Sequence, residues 1–260
     1  MSLSSKTYCT IEGNTPLVRL DFNADTRIWI MYFMGEQTPD NRLTHEFLVE
    51  GISPALQDVR KQWEKWVDED DTDMGAALVT TSLLENKIYS NGLDLLNAIG
   101  DPNFFNDYLN RVFREFSTLP IPTVASIGGH AFAGGFTLAC AHDYRVQNGE
   151  RGYMCMNEIE FGAPIPTGMM SMLHSVISNP TVLRKVVLEG HRFPAKEAHA
   201  YGFVDIVASG GSEGTLKAAI ELATKLRSRC AKNAWGQNRE IIRKDALVKL
   251  RENDVFEPKL

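Results

Sequence analysis

The 260-residue chain has no apolar run approaching the roughly 20 residues that a bilayer-spanning helix requires. Its N-terminal Met-Ser-Leu-Ser-Ser-Lys-Thr-Tyr has no apolar segment of the signal-peptide kind. Both features predict a protein with no membrane partner, soluble and not secreted. Basic residues are outnumbered, 27 Lys and Arg against 33 Asp and Glu, for a net charge of −6. The cations are scattered rather than gathered in a stripe, which argues against a nucleic-acid partner. Cysteine is scarce: Cys9, Cys140, Cys155 and Cys230 lie far apart with no CxxC spacing. That excludes a disulfide scaffold and predicts free thiols in a reducing compartment. The six histidines form no HExxH or similar pair, so no metal site is expected. The acidic run Asp68-Glu-Asp-Asp71 reads as a solvated loop. No Pro/Gly/Ser-rich linker divides the chain, and its length suffices for one full core.

What the sequence does carry is an alternation of strand and helix patterns. Strand-like runs at 17–22 and 28–33 are separated by the turn signal Asn23-Ala-Asp25, so two or three paired strands open the fold. Phe47, Leu48, Ile52, Leu56, Val59 and Trp63 have helical spacing. A strand at 76–81 leads to a turn centred on Asn91-Gly92, and a helix over about 103–116 precedes a strand at 121–127. Further strands are predicted at 144–147 and 152–156, helices from about 168 to 190, and helices again beyond Gly214.

Residues 128–143, Gly-Gly-His-Ala-Phe-Ala-Gly-Gly-Phe-Thr-Leu-Ala-Cys-Ala-His-Asp, place four glycines between a buried strand and a helix that begins near Phe136. Gly134 and Gly135 then stand at a helix N-terminus, where free N–H groups attract negative charge. The same glycines also suit a tight strand-to-helix turn with no ligand. Phosphate binding is disfavoured: Gly129 and Gly134 have the Walker spacing, but Gly135 and Phe136 occupy the Lys and Ser/Thr positions. The G-x-G-x-x-G pattern is absent as well.

Four segments in order resemble the crotonase, or enoyl-CoA hydratase/isomerase, superfamily: Tyr89-Ser-Asn-Gly-Leu-Asp94, Gly128 to Asp143, Asn157-Glu158 with Gly162-Ala-Pro-Ile-Pro166, and Ala195-Lys-Glu-Ala198 through Tyr201-Gly-Phe-Val-Asp205. The likeness spans about 8–207. It implies an α/β fold, a spiral of ββα repeats over 1–207, with a helical region at 208–260 that forms trimers or hexamers. It implies an acyl-CoA thioester as substrate, with coenzyme A part of that substrate and no separate cofactor. The family's oxyanion hole, two backbone N–H groups, maps onto Leu93 and Gly134, with Ser90, Asn91, Gly92 and Gly135 as substrate-binding neighbours. Physically, removing a proton beside a thioester carbonyl places negative charge on its oxygen, and fixed donors there are worth on the order of 10²–10³ each in rate.

Hydratases of this superfamily carry two glutamates. The first position here is Thr137, while the second is Glu158. Moving a double bond needs one group to carry a proton between two carbons, whereas hydration favours two acid–base groups. The pattern therefore resembles the Δ3,Δ2-enoyl-CoA isomerases, with Glu158 as the catalytic base. Other crotonase chemistries (hydratase, dienoyl-CoA isomerase, acyl-CoA hydrolase) and a non-catalytic CoA-binding module are the alternatives. Glu160 would share the face of Glu158 on an extended chain, so the backbone must bend for their roles to differ. His130 and His142 read as a turn residue and a helix residue, and Asp94 as a helix cap or a support of the oxyanion loop. The chain ends Glu257-Pro-Lys-Leu260, similar to the peroxisomal address Ser-Lys-Leu. A peroxisomal import receptor engaging Pro258-Lys259-Leu260 is thus an expected partner.

Overall fold

The computed structural model describes residues 3–252; the terminal Pro258-Lys259-Leu260 lies outside them. Three antiparallel strands, β1 (Leu3–Cys9), β2 (Pro16–Asn23) and β3 (Ile28–Phe33), open the chain. A π-helical turn at Phe47–Ile52 runs directly into α1 (Ser53–Asp68). From there the chain alternates between two sheets. Strands β4 (Ala77–Ser82), β6 (Thr123–Ile127), β8 (Tyr144–Asn148) and β11 (Ile206–Ala208) extend the first sheet in parallel, giving the order β1-β2-β3-β4-β6-β8-β11. Strands β5 (Ile88–Ser90), β7 (His130–Phe132), β9 (Tyr153–Cys155) and β10 (Phe193–Pro194) form the second, in the order β10-β9-β7-β5. Each turn of the spiral sends one strand to each sheet, and helices complete it: α2 (Leu95–Gly100) and α3 (Asn110–Ser117), then α4 (Gly134–Cys140), then α5 (Thr167–His174) and α6 (Pro180–Val187). This is the expected ββα spiral. After α7 (Ala195–Ala200) and β11 come α8 (Gly211–Leu226), α9 (Ala234–Ile242) and α10 (Lys244–Lys249).

The large sheet is covered on both faces, which explains why five consecutive residues of β4, Ala77 to Thr81, are buried rather than alternate ones. Ala77 and Val79 pack with Val124 and Val146 beneath Ala219 and Ala223 of α8. Leu78, on the opposite face, joins the main core with Trp63, Phe113, Phe116 and Phe136. Among the described residues no helix is long and apolar enough to cross a membrane.

The sequence reading missed the short strands β5 and β7 and the helix α2, which are too brief to show a period. Two histidine placements are corrected. His130 starts β7 rather than sitting in a turn, because β7 pairs with β5 and β9 on either side. His142 lies two residues past α4, whose helix stops at Cys140.

Candidate active site

Strands β5, β7 and β9 are adjacent and parallel, so their C-terminal ends lie side by side. Each delivers one element of the site: the 91–94 loop follows β5, Ala133 and Gly134 follow β7, and Glu158 follows β9. Residues far apart in the chain thus meet at one end of the small sheet, as ligand sites of parallel sheets commonly do.

The orientation of the two N–H groups follows from peptide planarity, since the C=O and N–H of a trans peptide point opposite ways. Gly92 O accepts from Leu43 N at 2.7 Å, which turns the Leu93 N–H away from Leu43. Ala133 O accepts from Phe136 N and Thr137 N within the first turn of α4, which turns the Gly134 N–H outward from the helix. Among the described residues neither N–H has a backbone acceptor. The two segments touch: a Cβ on Gly92 would lie 2.7 Å from Gly134 N, and one on Gly134 would lie 3.0 Å from Leu93 Cδ2 and 3.1 Å from Leu43 Cδ1. Gly92 also has φ +84°, a conformation that side chains disfavour.

Ala133 is a residue the sequence reading passed over. Its φ of 50° and ψ of −122° match the first central position of a type II′ turn, where glycine is the usual occupant. Its N–H donates to Cys155 O at 2.8 Å, tying the strained residue to β9. The strain fixes the direction of the next peptide, the one that carries the Gly134 N–H.

The remaining loop residues divide by position. Asn91 lines the cavity beside this end of the sheet, and its Nδ2 donates to Asp40 Oδ2 at 3.0 Å. Ser90 lies behind the cavity, where its Oγ donates to Asn41 O at 2.8 Å and accepts from Gly92 N at 3.2 Å. Gly135 also lies behind it; a Cβ there would come within 2.2 Å of Ser90 O, so glycine lets α4 pack on the end of β5.

Glu158 begins a single 3-10 turn, Glu158–Phe161, and this is the bend that separates it from Glu160. Glu158 is 6 % exposed and lines a cavity of ≈ 250 Å³, with Leu93, Phe105, Ala133, Phe161 and Met169 among its neighbours. Its Oε2 is buried without a hydrogen-bond partner among the described residues. Burial pushes its carboxyl up from 4.5 to about 7, opposed in part by a hydrogen bond from its own backbone. Glu160 faces solvent and sits 3.8 Å from Arg192. Asp94 and Arg42 also line the cavity, which no sequence signal had shown. Asp94 precedes α2 but makes no side-chain cap; its carboxylate accepts from Asn97 Nδ2 at 2.6 Å.

Two backbone N–H groups without backbone acceptors and a buried carboxylate thus stand at the same ends of adjacent strands, with Leu93, Ala133 and Glu158 lining one cavity. A sequence model of the family described as enoyl-CoA hydratase/isomerase matches residues 43–256. The chain belongs to the enoyl-CoA hydratase/isomerase family. The chain is 29 % identical over 201 residues to enoyl-CoA delta isomerase 1, peroxisomal, of Arabidopsis thaliana, covering 76 % of this chain and 82 % of that protein. Enoyl-CoA delta isomerase 2, peroxisomal, of the same plant is 31 % identical over 164 residues, covering 60 % of this chain and 68 % of the relative. The crystal structure of an enoyl-CoA hydratase from Mycobacterium marinum superposes with a TM-score of 0.70 at 22 % identity, covering 90 % of this chain and 95 % of that one.

Thr137, where the resemblance puts the first glutamate of the hydratases, is not among the residues that line the cavity. Thr137 is buried in α4, and its Oγ1 donates to Gly134 O at 2.9 Å. His142 does not line the cavity either. Tyr89 Oη lies 2.7 Å from Thr80 Oγ1, which lies 2.9 Å from His142 Nε2, while His142 Nδ1 is 2.9 Å from Leu138 O. Burial holds the imidazole down to about 3, hence neutral. Its Nδ1–H therefore donates to Leu138 O, and Nε2 accepts from Thr80.

Proposed function

We propose that the protein is a Δ3,Δ2-enoyl-CoA isomerase acting on 3-enoyl-CoA thioesters of fatty acid β-oxidation. The observation that carries this reading is the single buried carboxylate of the cavity lining among the described residues, Glu158, with one oxygen unpartnered and its carboxyl held near 7. The thioester oxygen accepts from Leu93 N–H and Gly134 N–H. The Glu158 carboxylate removes a proton from C2, and the electron pair of that C–H bond delocalises through the thioester, leaving a dienolate with its charge on the oxygen. The new Glu158 carboxylic acid returns the proton to C4, and the double bond comes to rest between C2 and C3. One group is base and then acid, and a carboxyl near 7 suits both steps. Asn91 and Gly92 shape the wall against which the thioester lies, and Ser90 and Gly135 hold that wall from behind.

A second reading rests on Asp94, the other carboxylate of the lining: with two acids in the cavity the enzyme would hydrate 2-enoyl-CoA. Assaying 3-enoyl-CoA and 2-enoyl-CoA side by side with the native protein and Asp94→Asn separates the two. The isomerase reading expects turnover of the 3-enoyl substrate in both proteins and negligible hydration. Hydration that disappears with Asp94→Asn establishes the second reading instead, and turnover of neither substrate points to a CoA-binding module.

The same reading places the protein in the peroxisome, supported by the terminal Pro258-Lys259-Leu260 and by two relatives whose names include that compartment. Deleting the three residues should leave a reporter fusion in the cytosol; an unchanged peroxisomal signal refutes the address. A homotrimer or hexamer built through the 208–260 region is supported by Ile241 and Ile242 of α9, which are 72 % and 79 % exposed. Light scattering should return three or six chain masses, and a monomer would reject it.

A further inference from the structure

The segment 40–43, between β3 and the π-helical turn, lies along residues 89–93 and bonds to them at almost every position. Asn91 N donates to Asp40 O at 3.0 Å, Leu43 N donates to Gly92 O at 2.7 Å, and Leu43 forms a parallel bridge with Leu93. Within this segment Asn41 is buried and has φ +49°, a left-handed conformation that asparagine tolerates better than most side chains. Its Nδ2 donates to Ser82 Oγ at 2.8 Å, at the end of β4 in the large sheet, and to Tyr89 O at 3.1 Å, in β5 of the small one. A carbonyl only accepts, so the bond to Tyr89 O requires the amide nitrogen on that side. One side chain thereby ties both sheets together where the oxyanion loop leaves β5.

The Asn41 backbone reaches the loop through Ser90. Ser90 Oγ donates to Asn41 O at 2.8 Å and accepts from Gly92 N at 3.2 Å. A hydroxyl has a single proton; with that proton committed to Asn41 O, the oxygen meets the Gly92 N–H as an acceptor. Gly92 is thus gripped at both of its peptide groups, its N–H by Ser90 and its C=O by Leu43. At φ +84° and without a side chain, Gly92 has wide conformational freedom. Those two bonds decide how its carbonyl is aimed, and with it the opposed Leu93 N–H of the same planar peptide. Neither Asn41 nor Ser90 lines the Glu158 cavity.

We propose that Asn41 is a positioning residue for the oxyanion hole, aiming the Leu93 N–H through Ser90 and Gly92. The inference rests on the proposed role of that N–H as a donor to the thioester oxygen. Asn41 suits the task by combining a left-handed backbone with an amide that donates twice. Aspartate keeps the shape but sets an acceptor against Tyr89 O, and glycine keeps the backbone but loses both anchors. A donor fixed on the oxyanion is worth on the order of 10²–10³ in rate, so one swung partly out of line forfeits a share of that.

Difference infrared spectroscopy of bound hexanoyl-CoA, a saturated thioester isotope-labelled at its carbonyl, provides the test, beside kcat and KM for a 3-enoyl-CoA substrate. In the native full-length protein the C=O stretch should lie below its value in water, because two donors polarise the carbonyl. Asn41→Asp should lose about half of that displacement, with kcat lowered about tenfold or more and KM changed by less than about threefold. Asn41→Gly should act in the same direction and serves if Asn41→Asp does not fold. Ser90→Ala, which cuts the link from Asn41 O to Gly92 N, should reproduce the pattern. A displacement retained in full by the Asn41 variant or by Ser90→Ala, with only Tm lowered, overturns the proposal and leaves the oxyanion reading standing. Absence of any displacement in the native protein overturns both.

Discussion

Replacing Glu158 with Gln should abolish turnover and, above neutral pH, make the protein more stable. The side chain keeps its volume but loses both its charge and its basic oxygen, so kcat should fall by roughly 10²–10⁴ while substrate binding persists. The stability change follows from burial. Raising a carboxyl from 4.5 to about 7 costs the ionised form about 3 kcal/mol. Because the folded value lies above the unfolded one, the favourable contribution is complete below about 4.5 and is lost as pH rises through about 7. The neutral amide of the variant suffers no such loss. Calorimetric melting of the two proteins from about pH 4 to about pH 8.5 should show nearly equal Tm at the acid end. At the alkaline end the variant should lead by about 6–12 °C, taking 2–4 °C per kcal/mol for a chain of this size. The native kcat/KM should rise over the same interval as the base ionises. A Tm difference independent of pH would mean that Glu158 is not buried as an ionisable group, and the base assignment would fail with it.

Gly134→Val should lose turnover and thioester binding far more than melting temperature, because the added atoms meet the movable ends of Leu93 and Leu43; retained activity would dismiss Gly134 as an oxyanion donor. Ala133→Gly should raise stability by about 1 kcal/mol, since relief of strain at φ 50° (about 1–3 kcal/mol) exceeds the entropy cost of glycine; a lower Tm contradicts a strained Ala133. The His142 imidazole should remain neutral down to about pH 4 when followed by nitrogen NMR, and a midpoint near 6.5 would rule out the buried Thr80–His142 bond. Glu160→Gln should leave kcat within about twofold, as expected for an exposed carboxylate only loosely paired; loss of isomerisation there would move the base by two residues.

The sequence by itself determined those parts of the site that backbone chemistry writes locally. Gly92 and Gly134 are legible because a positive φ or a close backbone approach leaves few other residues possible. Thr137 and Glu158 are legible because the order of the motifs fixes their register. The resemblance carried by the four ordered motifs was enough to imply the ββα spiral, but not the two-sheet pairing. It depends on strands of three residues that carry no period of their own and exist only by pairing with one another. That pairing brings Leu93, Gly134 and Glu158 together across some 65 residues of chain. Burial, too, belongs to tertiary structure. Glu158 and Glu160 are the same residue type two positions apart, and only the 3-10 turn and the walls around it make one a buried carboxyl and the other a solvated surface charge. The place of Asp94 on the cavity wall was invisible for the same reason. Electrostatics in a low-dielectric interior is set by neighbours in space rather than in sequence.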